Sequence, residues 1–383
     1  MILYLLIFVF VLFLYNSRPA KRKDVKQLAI VLGTLALFVG FADMLGGYDR
    51  YIYCELFDDT ADCTNIGGNY ALSSIWGYHK EFGYVVSNIL ISYVTDNRYI
   101  FILLYTIIIY LLIFESIKEY TEDYMLTVIL MLALFFFFTF TYLREVMGVA
   151  IAWLSVKYIY KRKFWKFLFV IVIAYSFHNS AIVFFPMYFI PIRKFEKKHV
   201  VYLMLIFLVL GFTPIPGSLF TRFGAFTGSE ERVAYYADEV DRASVRIEYI
   251  MEALFFLWII LKNYSRIGNS KKDVVILNIA LMFCAILLFF TRSSSGGRLS
   301  WYYMMGIFVL IPNFVVGNRS LLKVLLTICF FLYMRVVFAW GIFLSPYKTF
   351  FTNGVRDGDP IHLRYEYDSN YEKDKFYRPI LKW

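Results

Sequence analysis

Residues 124–166 read YMLTVILMLALFFFFTFTYLREVMGVAIAWLSVKYIYKRKFWK. Two apolar runs, 125–143 and 146–160, are separated by Arg144 and Glu145 and followed by the basic cluster Lys161, Arg162 and Lys163. A helix needs ~20 apolar residues to cross a ~30 Å hydrocarbon core; the first run approaches that length and the second falls short of it, so the two read as spans with loose boundaries. The basic cluster marks one membrane face, and Arg144 sits at the opposite one. A charge held against apolar spans in this way is rarely idle.

The rest of the chain follows the same pattern. Of its 383 residues, 60% are hydrophobic and 21% aromatic, too many for a soluble surface to hide. The fold class expected is an all-α polytopic membrane protein. Apolar runs near 1–15, 28–45, 99–114, 125–143, 146–160, 164–177, 181–192, 200–213, 249–262, 274–291, 301–316 and 324–345 give roughly 12 segments, some shorter than a full span. The stretch 164–192 is expected to form a hairpin that reaches partway or bends at His178–Ser180. No linker or low-complexity tract divides the chain, which predicts one membrane domain over 1–345, with external loops at about 46–98 and 214–248 and a tail over 346–383.

Basic residues set the orientation. SRPAKRKDVK, KRKFWK, PIRKFEKKH, LKNYSRIGNSKK and GNRSLLK occupy alternate connections, which belong on the cytoplasmic side. The acidic ESIKEYTED adds nothing to this pattern. Both termini and the long segments then lie on the opposite, outer side. Met1–Tyr15 lacks a basic start and a small-residue cleavage site, so a retained span is expected rather than a signal peptide. The net charge of +10 is largely this asymmetry, and no basic soluble domain remains to bind nucleic acid.

Cys284 and Cys329 fall inside apolar runs, as packing residues. Cys54 and Cys63 share the first external segment, where they either pair in an oxidising compartment or stay free. Asp58, Asp59 and Asp62 read as a solvated acidic loop, with a calcium-like site as the alternative. Phosphate-binding glycine loops, HExxH, CxxC pairs and GxSxG are all absent from the sequence. Chemistry is left to polar residues at the outer ends of the spans: Asp49, Arg50, Glu81, Arg144, His178, Arg222, Arg232, Arg292 and Arg298.

Arginine dominates these positions. Guanidinium is always charged and makes forked hydrogen bonds to phosphate oxygens, which suits a lipid-linked diphosphate at headgroup depth. Interfacial anchoring accounts for Arg242 and Arg246. Arg144 and Arg298 abut apolar spans, where an unpaired charge costs up to ~2.5–3.5 kcal/mol. His178 lies with Asn179 and Ser180 at an expected outer turn, where an imidazole either bonds the backbone or takes a proton from a sugar hydroxyl.

Five segments in order carry a resemblance. GYDRYIYCELF fits a D-x3-Y pattern at Asp49 and Tyr53, and EFGYVVSN fits E-x-G-[FY]-x3-N from Glu81 to Asn88. YLREVMG places Arg144 in an R-[QE] pair, SFHNSAIVFFPMYF places His178 in F-H-x-S-[AL], and GRLSWYYMMGIFVLIP gives a late arginine, an aromatic pair and a proline-ended span. The chain thereby resembles the Wzy-type bacterial polysaccharide polymerases of O-antigen, capsule and exopolysaccharide synthesis, in their EpsG-like branch. Glu145, where glutamine is commoner, and the charged tail after Tyr347 depart from that pattern.

The resemblance implies a GT-C-like, metal-independent glycosyltransferase without a cofactor. Its substrate would be a polyprenyl-diphosphate-linked oligosaccharide such as one on undecaprenyl diphosphate, and a chain-length regulator would be a partner. Arg144, Arg298 and Arg292 would hold the diphosphate. His178 would serve as base, with Asp49 orienting it or acting as the base itself. Tyr53, Glu81, Arg222 and Arg232 would line the glycan groove, with Tyr70, Trp76 and Tyr78 as stacking faces. A glycan ligase, a lipid-linked oligosaccharide flippase using Arg335, and a membrane O-acyltransferase are the alternatives.

Overall fold

Long apolar runs can satisfy their backbone groups in a membrane only by coiling on themselves, and the apolar runs among the described residues do so. The computed structural model describes residues 2–17, 22–43, 49–219, 222, 245–344, 347–352, 376 and 378–382. Its helices are α1 (Ile2–Ser17), α2 (Val25–Phe41), α3 (Arg50–Asn65), α4 (Phe82–Ser92), α5 (Arg98–Tyr120), α6 (Tyr124–Leu134), α7 (Phe138–Thr141), α8 (Leu143–Trp153), α9 (Val156–Tyr160) and α10 (Phe164–Phe177). They continue with α11 (Lys197–Gly211), α12 (Ile247–Lys262), α13 (Lys271–Phe289), α14 (Ser294–Arg298), α15 (Met304–Val315) and α16 (Arg319–Trp340). Among the described residues there is no β-strand, only one isolated bridge between Ala42 and Thr349.

Three helices, α5, α13 and α16, are long and apolar enough by themselves to cross a membrane. α1, α2, α4, α6 and α10 are shorter apolar helices. The opening pair of runs is more broken than its hydropathy predicts. The first run stops at Leu134, in a tract of four phenylalanines, and resumes at Phe138. Bulky aromatics lose side-chain freedom in a helix and tolerate such a break. The second run divides between α8 and α9. The helix breaks at His178, where a bend was expected: α10 ends at Phe177, and a 3-10 run follows over Asn179–Tyr188.

The chain forms two compact units, one of residues 1–151, 173–178 and 320–383, the other of residues 152–172 and 179–319. The changeovers at 151/152 and 172/173 fall inside helices, so no linker composition marks them.

In the first unit α2 packs along α5, α1 along α6, and α3 against α4 and α5. Phe57 of α3 stacks on Phe101 of α5 at 4.3 Å between ring centroids. Arg50 is buried, and its Nη2 donates to the carbonyls of Val39 (3.0 Å) and Ala42 (2.9 Å). It thus satisfies the open end of α2. The segment expected as an external loop therefore holds an amphipathic helix, and its acids have protein partners. Asp58 pairs with Arg98, Asp59 accepts from Ser73 Oγ (2.5 Å) and Ser74 Oγ (2.7 Å), and Asp62 pairs with Arg378 (2.9 Å).

Of the two alternatives for the external cysteines, the free one holds. Cys54 and Cys63 both lie on α3 and are free thiols. Nine helical positions separate the two by ~13 Å of rise, beyond the ~7 Å that a disulfide spans.

The last residues return to the same region of this unit. Thr95 Oγ1 donates to the Ile380 carbonyl (2.6 Å), Lys382 N donates to the Val94 carbonyl (2.9 Å), and Lys382 Nζ pairs with Asp96 (2.7 Å).

In the second unit α13 is central, packed on α11, α12 and α15. Gly306 makes the α15 contact possible, because a Cβ there would collide with the Ala280 backbone. Trp153 Nε1 donates to the carbonyls of Trp301 and Tyr302 (3.2 Å each), Ser180 Oγ bonds Tyr302 Oη (2.8 Å), and Tyr303 Oη donates to the Val183 carbonyl (2.5 Å).

Candidate functional site

Three segments of the first unit converge on Arg144. The guanidinium, on the second residue of α8, donates through Nη1 to Glu81 Oε2, and the two side chains are only 12% and 9% exposed. Glu81 stands at the N-terminal cap of α4, but its carboxylate does not cap that helix. The aromatic rings of Tyr78 (4.3 Å), Tyr84 (5.5 Å) and Tyr53 (5.8 Å) surround the guanidinium carbon. Negative ring faces attract a desolvated cation, so the cage and Glu81 share the task of holding Arg144.

Each motif residue has a physical place here. Tyr53 on α3 is buried, and burial raises its phenol pKa above the usual range against the pull of Arg144. Asp49 stands at the N-cap position of α3 one turn earlier, without a side-chain capping bond, and is close enough for its charge to act on Tyr53. Tyr84 is fully buried, edge-on to Tyr53, Tyr78 and Tyr105. Asn88 Nδ2 donates to the Tyr84 carbonyl (2.9 Å) and fixes that turn of α4. Gly83 lets the end of α10 approach, since a Cβ there would strike Ser176 Oγ and stand 3.1 Å from the Phe177 ring. His178 follows directly. It is half-buried and held by its own N–H to the Ala174 carbonyl (3.1 Å).

Two donors at this pair have no protein partner among the described residues: Arg144 Nε and the Tyr84 hydroxyl, both buried. Buried donors are nearly always satisfied by protein, water or ligand. The site therefore carries hydrogen-bonding capacity beyond what its own side chains use.

Around this site the chain matches a family model, that of the EpsG family, over residues 25–351. The chain belongs to the EpsG family. No curated protein and no solved structure matches it. An EpsG chain is a membrane protein of polysaccharide biosynthesis with a polymerase-type, glycosyltransferase-like function. The family match ends at residue 351, so the clasp formed by Arg378, Ile380 and Lys382 lies beyond the part that matches the EpsG model.

The remaining expected residues of this EpsG chain lie on other segments. Arg292 and Arg298 belong to the second unit, and each is only partly exposed. Arg222 is exposed, and Arg232 lies outside the described residues. Glu81, expected along a glycan groove, pairs with Arg144. Tyr78, expected as a sugar-stacking face, covers the guanidinium, while Trp76 stays half-exposed and stacks on His79. Tyr84 was missed as a site residue. Its signal was present as the aromatic position of the E-x-G-[FY] motif.

Proposed function

We propose that the protein polymerises lipid-linked oligosaccharide repeat units at the outer face of the bacterial cytoplasmic membrane. The growing glycan passes from polyprenyl diphosphate to the non-reducing end of an incoming lipid-linked unit. The observation that carries this is the buried Arg144–Glu81 pair inside its tyrosine cage, with unused donors on Arg144 and Tyr84. Five N–H donors let one guanidinium keep Glu81 and still meet a phosphate oxygen.

In the reaction the acceptor hydroxyl oxygen forms a bond to the anomeric carbon of the donor. The bond from that carbon to the diphosphate oxygen breaks, and the diphosphate leaves with the electron pair. His178 takes the hydroxyl proton, with Asp49 orienting it or serving as the base. Arg144 stabilises the charge that grows on the leaving diphosphate, and a water-poor site magnifies this effect. Glu81 positions Arg144. Arg298, the late arginine of the motif set, and Arg292 serve as further phosphate-binding cations, while Tyr53 of the D-x3-Y pattern and the loop arginines Arg222 and Arg232 serve as glycan contacts. We further propose a GT-C-like bundle of roughly 12 segments, with the C-terminal tail outside.

Purified protein supplied with a lipid-linked repeat unit, but with no nucleotide sugar and no divalent metal, tests this directly. Ladders of higher oligomers with free polyprenyl diphosphate are expected. A strict need for a nucleotide-activated donor, or transfer of one block without a ladder, overturns it.

A further inference from the structure

The second unit carries a groove away from any residue assigned above. It has a volume of about 460 Å³ and is lined by Leu254, Leu257, Trp258 and Leu261 of α12, with Lys262 at the end of that helix and Lys197 at the start of α11. The four apolar residues fall at i, i+3, i+4 and i+7, one stripe along a helix. Leu254 and Trp258 leave that stripe open, at 45% and 47% exposure.

The charges at its end are unusual. Among the described residues neither Lys197 nor Lys262 has a carboxylate partner. The adjacent acid, Glu196, is taken by Lys198 (2.9 Å) and lies 3.8 Å from His199 Nδ1. Lys262 Nζ lies over the Trp258 ring (4.9 Å), so the ammonium is folded back over the apolar stripe. Glu196 also leaves the first turn of α11 without a side-chain cap, so free N–H groups and the positive end of the helix dipole sit beside Lys197. Both lysines belong to the loops whose basic residues mark the cytoplasmic side.

We propose that this groove binds an anionic phospholipid of the cytoplasmic leaflet. Its phosphate sits between Lys197 and Lys262, and one acyl chain lies along Leu254, Leu257, Trp258 and Leu261. A headgroup anion alone would leave the apolar stripe unused, and an acyl chain alone would leave two unpaired cations. An anionic lipid meets both demands, and basic pockets between helices on the cytoplasmic side suit such headgroups.

The test uses the full-length protein in nanodiscs of phosphatidylcholine containing a minor fraction of phosphatidylglycerol, with retained lipid counted by native mass spectrometry after detergent exchange. Wild type should retain phosphatidylglycerol preferentially. Each lysine removed should weaken retention about fivefold, so K197A/K262A should lose roughly 25-fold. Leu254→Trp, which blocks the stripe with both lysines intact, should also lose it, whereas K161A/K163A should match wild type. Undiminished retention by K197A/K262A overturns the proposal. So does displacement of the lipid by millimolar inorganic phosphate, which would mark a plain anion site. Should Leu254→Trp fail to fold, the surface lysine pair decides alone. Elongation is not read at any stage, so failure here leaves the polymerase proposal untouched, and the reverse holds too.

Discussion

Replacing Glu81 by glutamine keeps the shape of the site and removes one charge. Arg144 is then a cation buried among Tyr53, Tyr78 and Tyr84 with no counter-charge. Removing one partner of a buried pair costs about 3–5 kcal/mol. Glutamine still accepts a hydrogen bond from the guanidinium, worth ~1.5–3 kcal/mol, so the expected loss is about 2 kcal/mol. Arg144→Met leaves a carboxyl that escapes most of the penalty by taking up a proton. The double variant E81Q/R144M buries no charge, and neutral replacements of buried pairs are often no less stable. A double-mutant cycle, read from unfolding in detergent, should therefore give a coupling of ~2 kcal/mol. Elongation should separate the two residues. E81Q should slow turnover about tenfold, equal to ~1.4 kcal/mol of lost transition-state stabilisation, while R144M and the double variant should not elongate at all. If E81Q elongates and unfolds as wild type does, or if the two single effects simply add, Glu81 does not position Arg144.

Maleimide labelling of the folded protein should attach quickly at Cys63 and not at Cys54, because burial pushes the Cys54 thiol up to about 12 against the pull of Arg98 and Arg50; reduction should leave the intact mass unchanged. Gly83→Ala should lower the unfolding temperature and elongation together, since its Cβ has no room beside Ser176 and Phe177, whereas Gly77→Ala, with open space around it, should alter neither. Burial works against ionisation of Asp59, but hydrogen bonds from Ser73 and Ser74 outweigh it and hold the pKa below the usual value. Its contribution is therefore present above the unfolded pKa of ~3.9 and lost as pH falls through the lower folded value, so the gap in unfolding temperature between wild type and Asp59→Asn should be full at pH 6 and close below pH 4. R378A/K382A should free the chain end from α3 and from residues 94–97, seen as faster amide exchange at Val94–Asn97.

Helical membrane character was legible because backbone groups in hydrocarbon leave few alternatives, and the helix break after Phe177 is marked by His178, Asn179 and Ser180. α3 was not read as a helix. Tyr53, Leu56, Phe57, Thr60 and Ala61 repeat at helical spacing and are buried, but Asp58, Asp59 and Asp62 alternate with them, so a hydropathy scan averages the segment to neutral. The helix in turn removed the disulfide, because nine residues in a coil are not nine residues in a loop. Ion pairs were the least legible feature. The cost of an isolated Arg144 against apolar spans demands a partner, yet nothing local names it, since Glu81 lies 63 residues away. Once the pair is known, the spacing of E-x-G-[FY]-x3-N has a reason at every fixed position: Glu81 meets the guanidinium, Gly83 admits α10 with His178 at its end, Tyr84 lies by the cation, and Asn88 ties the helix that carries them. A motif whose fixed positions all serve one buried cation is better explained by the work of that cation than by packing alone. Packing alone would accept a methionine in place of Arg144.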